Sequence, residues 1–178
     1  MSENKDIYEK AKKEMRLSER IVAALPGFRG YKEKELRRES DKLIRNHLYH
    51  RLVTARTDLK FVYQKLADRR AFDVLTDADR LVAKFDRVAE KINHASYGYT
   101  GFFDVVKVEE DDLDRMIDFD SELVDDVEKI VSDVEAFKDE IMKQKFDKAK
   151  ERVQDLTDTI EALDEAFDKR QEVILGVN

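Results

Sequence analysis

Between Tyr31 and Ala95, and again between Glu110 and Ile174, the chain contains neither glycine nor proline. Each of these stretches is 65 residues long by numbering. With no residue to break a helix, the spacing of apolar residues decides the local structure. Within each run that spacing is three and four. In the first stretch Leu52, Ala55, Leu59, Val62 and Leu66 form one stripe, and Leu81, Phe85, Val88 and Ile92 a second. In the second stretch the runs are Leu123, Val127, Ile130, Val134, Phe137, Ile141, then Phe146, Ala149, Val153, Leu156, Ile160, Leu163, Phe167. Such stripes are the seams of coiled coils and helical bundles.

The spacing predicts an all-α fold: a long antiparallel helical hairpin or coiled-coil-like bundle, preceded by a short N-terminal helix. Unbroken, each arm would reach about 97 Å at about 1.5 Å per residue. The alternative is a compact bundle of four or five helices, with joints at Asp73–Thr76 and Lys143–Lys145. At the first joint, Thr76 with Asp79 is placed to cap a new helix. At the second, the step from Ile141 to Phe146 is five, and the register slips. Since "MKQK" holds no turn residue, a continuous helix with a phase shift is expected there. The whole chain reads as one domain: an N-terminal helix over 4–24, a first arm over 31–95, an aromatic–glycine loop over 96–109 and a second arm over 110–175. In the N-terminal helix, Ile7, Ala11, Met15, Ser18, Val22 and Leu25 share a stripe.

Charged residues make up 42% of the chain and hydrophobic residues another 42%. This balance suits long helices rather than sandwiches or barrels. There is no cysteine, which excludes disulfides, thiolate metal sites and cysteine nucleophiles. No apolar run approaches the roughly 20 residues of a membrane span, and the first twenty residues are too charged for a secretory signal. A cytoplasmic location is therefore expected. The net charge of −7 is unevenly spread. Residues 1–56 carry 15 basic and 9 acidic side chains, residues 57–108 carry 9 and 8, and residues 109–178 carry 10 and 24. Internal pairing of a basic first third with an acidic last third is the favoured explanation. A basic patch for an anionic partner is the other.

Chemical motifs are sparse. His47 and His50 stand one helical turn apart and His94 alone; the Glu-x-x-His pairs of di-iron bundles do not occur. His47 falls near Leu43 and Ile44 on the wheel, so a packed histidine is expected rather than a ligand. The acidic runs lack calcium-loop spacing, and no phosphate-binding glycine motif appears. Gly27-Phe-Arg-Gly30 fits a GxxG spacing without the strands that a nucleotide-clamping loop requires. No cofactor is expected.

Two corners remain. "LPGFRGYKEKELRRES" holds the only proline and two of the five glycines. Phe28, Arg29 and Tyr31 sit at its breakers, with Lys34, Arg37 and Arg38 on the helix that follows. On the wheel Lys34, Arg38 and Arg45 project from one face. Interspersed acids leave residues 26–45 at only +3, which disfavours nucleic acid. The second corner sets Tyr97, Tyr99, Phe102 and Phe103 around Gly98 and Gly101. These ten aromatic and basic side chains are the candidate partner contacts.

"PGFRGYKEKELRRESDKLIR" resembles the opening of a group of uncharacterised helical proteins of bacteria and archaea. In them a Pro-Gly-aromatic-x-Gly-Tyr corner precedes a Lys/Glu/Arg-rich helix. The resemblance covers the first quarter of the chain, brings no activity with it, and implies only that the corner matters.

The expected function is a non-enzymatic scaffold or adaptor that acts through protein–protein contacts. Because the seams are long, a second chain is expected to cover them, which makes a homo-oligomer. The alternatives are a peripheral binder of anionic membrane, through the basic aromatic corner 26–45, and a metal-dependent bundle enzyme built on His47 and His50.

Overall fold

In a computed structural model the chain is all-α. The structure describes residues 21–28, 34–95 and 110–175, without the side chains of 34–38, 110–114, 171 and 173–175. Four long helices occur among them: α1 (Lys34–Asp68), α2 (Phe72–His94), α3 (Glu110–Met142) and α4 (Ala149–Leu175). Residues 21–24 are also helical. No described helix is long and apolar enough to cross a membrane.

Each 65-residue arm folds back on itself, so the chain forms the bundle and not the extended hairpin. The two reversals share one device. At the first, the Ala71 amide donates to the Leu66 carbonyl (3.0 Å) and the Arg70 amide to the Ala67 carbonyl (2.9 Å), around Arg70 at φ 58°. At the second, Lys145 donates to Glu140 (2.9 Å) and Gln144 to Ile141 (3.0 Å), around Gln144 at φ 60°. This is the Schellman arrangement, which returns partners to carbonyls at a helix end. Glycine normally occupies its left-handed position; an L side chain there costs about 1–2 kcal/mol.

Two sequence expectations fail here. The five-residue step after Ile141 is a turn, not a phase shift in a continuous helix. The first break lies at Arg69–Ala71, ahead of the expected joint at 73–76. Thr76 is an exposed residue inside α2, and the cap position belongs to Ala71, which makes no side-chain capping bond. The reversal is closed from the carbonyl end of α1, so no cap on α2 is required. What drives it is the lapse of the apolar stripe between Leu66 and Val74. A straight helix would hold two stripes along one rod with nothing to cover them. Folding back lets four stripes cover one another.

Ion pairs give the helix directions. Arg51–Glu128 and Lys138–Asp58 run in step, so α1 and α3 are parallel neighbours. Lys84–Glu161 and Lys91–Asp168 do the same for α2 and α4. The antiparallel neighbours are α1 with α2 and α3 with α4. Around the bundle the order is α1, α2, α4, α3, with α2 and α3 on a diagonal. In sequence, α2 and α3 are separated by more residues than either other consecutive pair. One end of the bundle therefore holds both tight turns. The other holds the start of α1 and α3 and the end of α2 and α4.

Every seam residue from Leu52 to Phe167 named above is buried, except Phe146, which is half-buried. Since the stripes close within one chain, they do not need a second one. The N-terminal stripe is corrected by one position. Val22 is 51% exposed, while Ile21, Leu25 and Phe28 enter the core at steps of four and three. Ile7, Ala11, Met15 and Ser18 lie outside the described residues. After Pro26 the chain turns through Gly27 at φ 95°, where a β-carbon would be strained. That turn rests on Leu43 of α1, whose Cδ1 is 3.7 Å from the place a β-carbon would take.

Candidate functional site

The two ends of the bundle differ in chemistry. Near the end away from the turns, four charged side chains are withdrawn from water. Arg170 and Asp120 are 0% exposed, Asp41 2% and Arg45 6%. Arg170 uses Nε and Nη2 on the two carboxylate oxygens of Asp120, and Nη2 also donates to Asp41 Oδ1 at 2.9 Å. Asp41 accepts from Arg45 Nε at 2.8 Å through its other oxygen. Arg45 Nη1 reaches the Asn93 carbonyl at 3.4 Å. One network of two cations and two anions thus ties α1, α2, α3 and α4, and links α1 to α4 across a diagonal. Forked guanidinium–carboxylate pairing gives it direction as well as charge balance.

The expected stripe of Lys34, Arg38 and Arg45 is corrected by this network. Arg45 turns inward because Asp41, one turn earlier, supplies a buried carboxylate. The placement of the network was legible in part. Arg170 follows Phe167 by three and Asp120 precedes Leu123 by three, so both continue apolar seams with a charged residue. A charge at a seam position is the signal that periodicity alone passes over.

Along the shaft, cations of the first hairpin meet acids of the second. Arg51 Nε donates to Glu128 Oε1 at 2.7 Å, and Lys91 Nζ lies 2.7 Å from Asp164 and 2.6 Å from Asp168. Lys84 pairs with Glu161, and Arg87 with Asp164 at 3.4 Å. Part of the uneven charge of the chain is therefore paired between the hairpins along the shaft. The hydrogen bond from Arg51 holds the Glu128 carboxyl below the usual carboxylate range, against the opposing effect of partial burial. His47 Nε2 stands 3.3 Å from Glu128 Oε1 without hydrogen-bond geometry. His50 is exposed beside Tyr49, and His94 pairs with Glu90 at 3.1 Å. No three His, Asp or Glu side chains among the described residues are grouped to hold a metal ion.

At the turn end, a groove of about 440 Å³ lies between the end of α1 and the α3–α4 turn. Its apolar lining is Phe61, Ile141, Met142 and Phe146, and its charged lining Lys65, Asp68 and Arg69. The cations sit on rings: Arg69 is 4.9 Å from the Phe146 centroid, and Lys65 5.5 Å from that of Phe61. Met142 is 62% exposed, and Phe72, just past the α1–α2 turn, 72%. A second groove of about 320 Å³ lies between α3 and α4, toward the other end. Phe119, Leu123, Ala162 and Ala166 line it, with Glu122, Asp126, Glu165 and Lys169. Partial loss of water, and then the neighbouring Asp125, push the Asp126 carboxyl up. The two grooves thus carry opposite charge.

Of the ten expected contacts, Phe28 is a core residue at 6% exposed and is not offered to a partner. It packs inward because the turn at Gly27 aims it at the helices. Lys34, Arg37 and Arg38 lie on the first turns of α1, with side chains outside the described residues. Arg29, Tyr31, Tyr97, Tyr99, Phe102 and Phe103 also fall outside them. The turn-end residues Phe61, Met142, Phe146 and Phe72 were missed because no glycine or proline marks either reversal. Comparison with protein-family models, with curated proteins and with solved structures found no match.

Proposed function

We propose that the protein is a helical scaffold or adaptor that acts through protein–protein contacts at its turn end. The observation that carries this reading is the pair of large apolar side chains, Phe72 and Met142, left open to solvent at one end. Elsewhere the four seams are closed. An exposed aromatic and a thioether beside a ring-lined groove with cations match the composition of interface anchors. Ion pairs between helices along the shaft, such as Arg51–Glu128 and Lys91–Asp168, support a spacer role.

Crosslinking followed by affinity capture from native cells tests it, with the unchanged protein, Phe72→Ser, Met142→Asp and the distant control Asn46→Ala. The expected outcome is a partner held by the unchanged protein and the control and lost with both turn-end variants. A partner set that neither turn-end variant alters overturns the reading.

A further inference from the structure

We propose that the α3–α4 groove receives the α1–α2 turn of a second copy of this chain, with Phe72 as the inserted side chain. This rests on the contact role of the turn end and names what that end meets. Three observations converge.

The first is shape. Phe72 projects from a tight, hydrogen-bonded turn, with its amide held by the Arg70 carbonyl at 2.9 Å and the next turn of α2 behind it. A ring presented on a closed turn loses little freedom on docking. The groove is floored by two alanines, Ala162 and Ala166, one turn apart on α4, between Phe119 and Leu123 of α3. Small side chains between larger ones leave space for one ring.

The second is charge. Arg70 precedes Phe72 by two residues and has no carboxylate partner among the described residues. Three carboxylates and one lysine stand at the groove. An arginine that arrives with the ring meets Glu122, Asp126 and Glu165, which outnumber the one lysine at the groove. Such complementarity orients the encounter and weakens with salt.

The third is that knob and groove lie at different places on one surface. A contact between unlike patches is head-to-tail, so it builds an open chain or a ring rather than a two-fold dimer. That mode of assembly suits a scaffold.

Sedimentation velocity on the full chain over a range of concentration tests it, with two surface variants. Phe72→Ser removes the knob and leaves the groove; Ala162→Tyr fills the groove and leaves the knob. The unchanged protein is expected to grow in mass with concentration and to shrink at high salt. Each variant alone is expected to bind itself about tenfold or more weaker, the scale of a lost anchor. An equal mixture of the two is expected to stop at a dimer, since one knob and one groove survive. Arg70→Glu is expected to weaken the unchanged assembly and Glu165→Arg to restore it in mixture.

An unchanged protein that stays monomeric overturns the proposal, as does assembly that neither variant disturbs. Variants that each form a dimer alone also overturn it. If the protein is monomeric yet Phe72→Ser still loses a captured partner, the adaptor reading stands and this inference fails alone.

Discussion

The end of the bundle near Arg170 and the end that holds the turns use the same residue types in opposite ways. At the first, two arginines and two aspartates are buried and directed at one another. At the second, Arg69 and Lys65 lie on aromatic rings, and Phe72 and Met142 face solvent. The difference is one of water. A buried charge needs a fixed partner, and breaking the pair leaves the other charge stranded. A charge at the rim keeps its hydration and stays available to an incoming group. Buried pairing makes an end rigid and specific; exposed pairing makes it receptive.

The largest expected effect lies at the buried end. Arg170→Ala removes the fork on Asp120 and one of the two guanidinium contacts of Asp41, and should cost about 3–5 kcal/mol in urea denaturation. Met142→Asp at the other end should change stability by less than about 0.5 kcal/mol. Comparable losses from the two variants would break the contrast. Next in size is Phe72→Ser, which should leave the melting curve in place while self-association falls about tenfold. A variant that melts earlier would make Phe72 part of the fold instead.

Smaller effects sharpen the comparison of the two turns. Arg70→Gly relieves a left-handed side chain worth about 1–2 kcal/mol and returns about 0.5–1 kcal/mol in chain entropy. A net gain of roughly 0.5–1 kcal/mol is expected from thermal denaturation. A loss would show that the Arg70 side chain holds the turn. The smallest effect belongs to the shaft. Glu128 is held below its usual range by Arg51. Its contribution is therefore present above the unfolded value of about 4.3 and lost as pH falls through the folded value. Glu128 is part-exposed, so screening limits this to a few tenths of a kcal/mol. Denaturation curves of Glu128→Gln and the unchanged protein should differ at neutral pH and converge once the pH lies below the lowered folded value of Glu128. A gap that persists in acid would mean the two share no such linkage.

Much of the fold was legible. Seam residues such as Leu52, Val127 and Phe167 are buried where three-and-four spacing places them. The reversals were legible only as an alternative, with one joint rightly at 143–145 and the other a few residues late, because Arg70 and Gln144 carry no local preference for the left-handed backbone they adopt. Phe28 was named a candidate contact and Arg45 was set on the basic face, and both are buried. The first follows a turn whose direction is set by contact with α1. The second answers to Asp41, Arg170 and Asp120, of which the last two are distant in sequence.

By itself, the sequence determined that the chain is helical, which faces are apolar, and that basic and acidic segments are apart. These are properties of neighbours within a few residues, where spacing and sterics act alone. Only the tertiary structure decided that each arm folds in two, that α2 and α3 stand diagonal, and that Arg170 lies between two aspartates. Those outcomes depend on which stripe covers which. Burial rewards a whole arrangement of helices and not any one segment. The same closure leaves Phe72 outside, open to solvent.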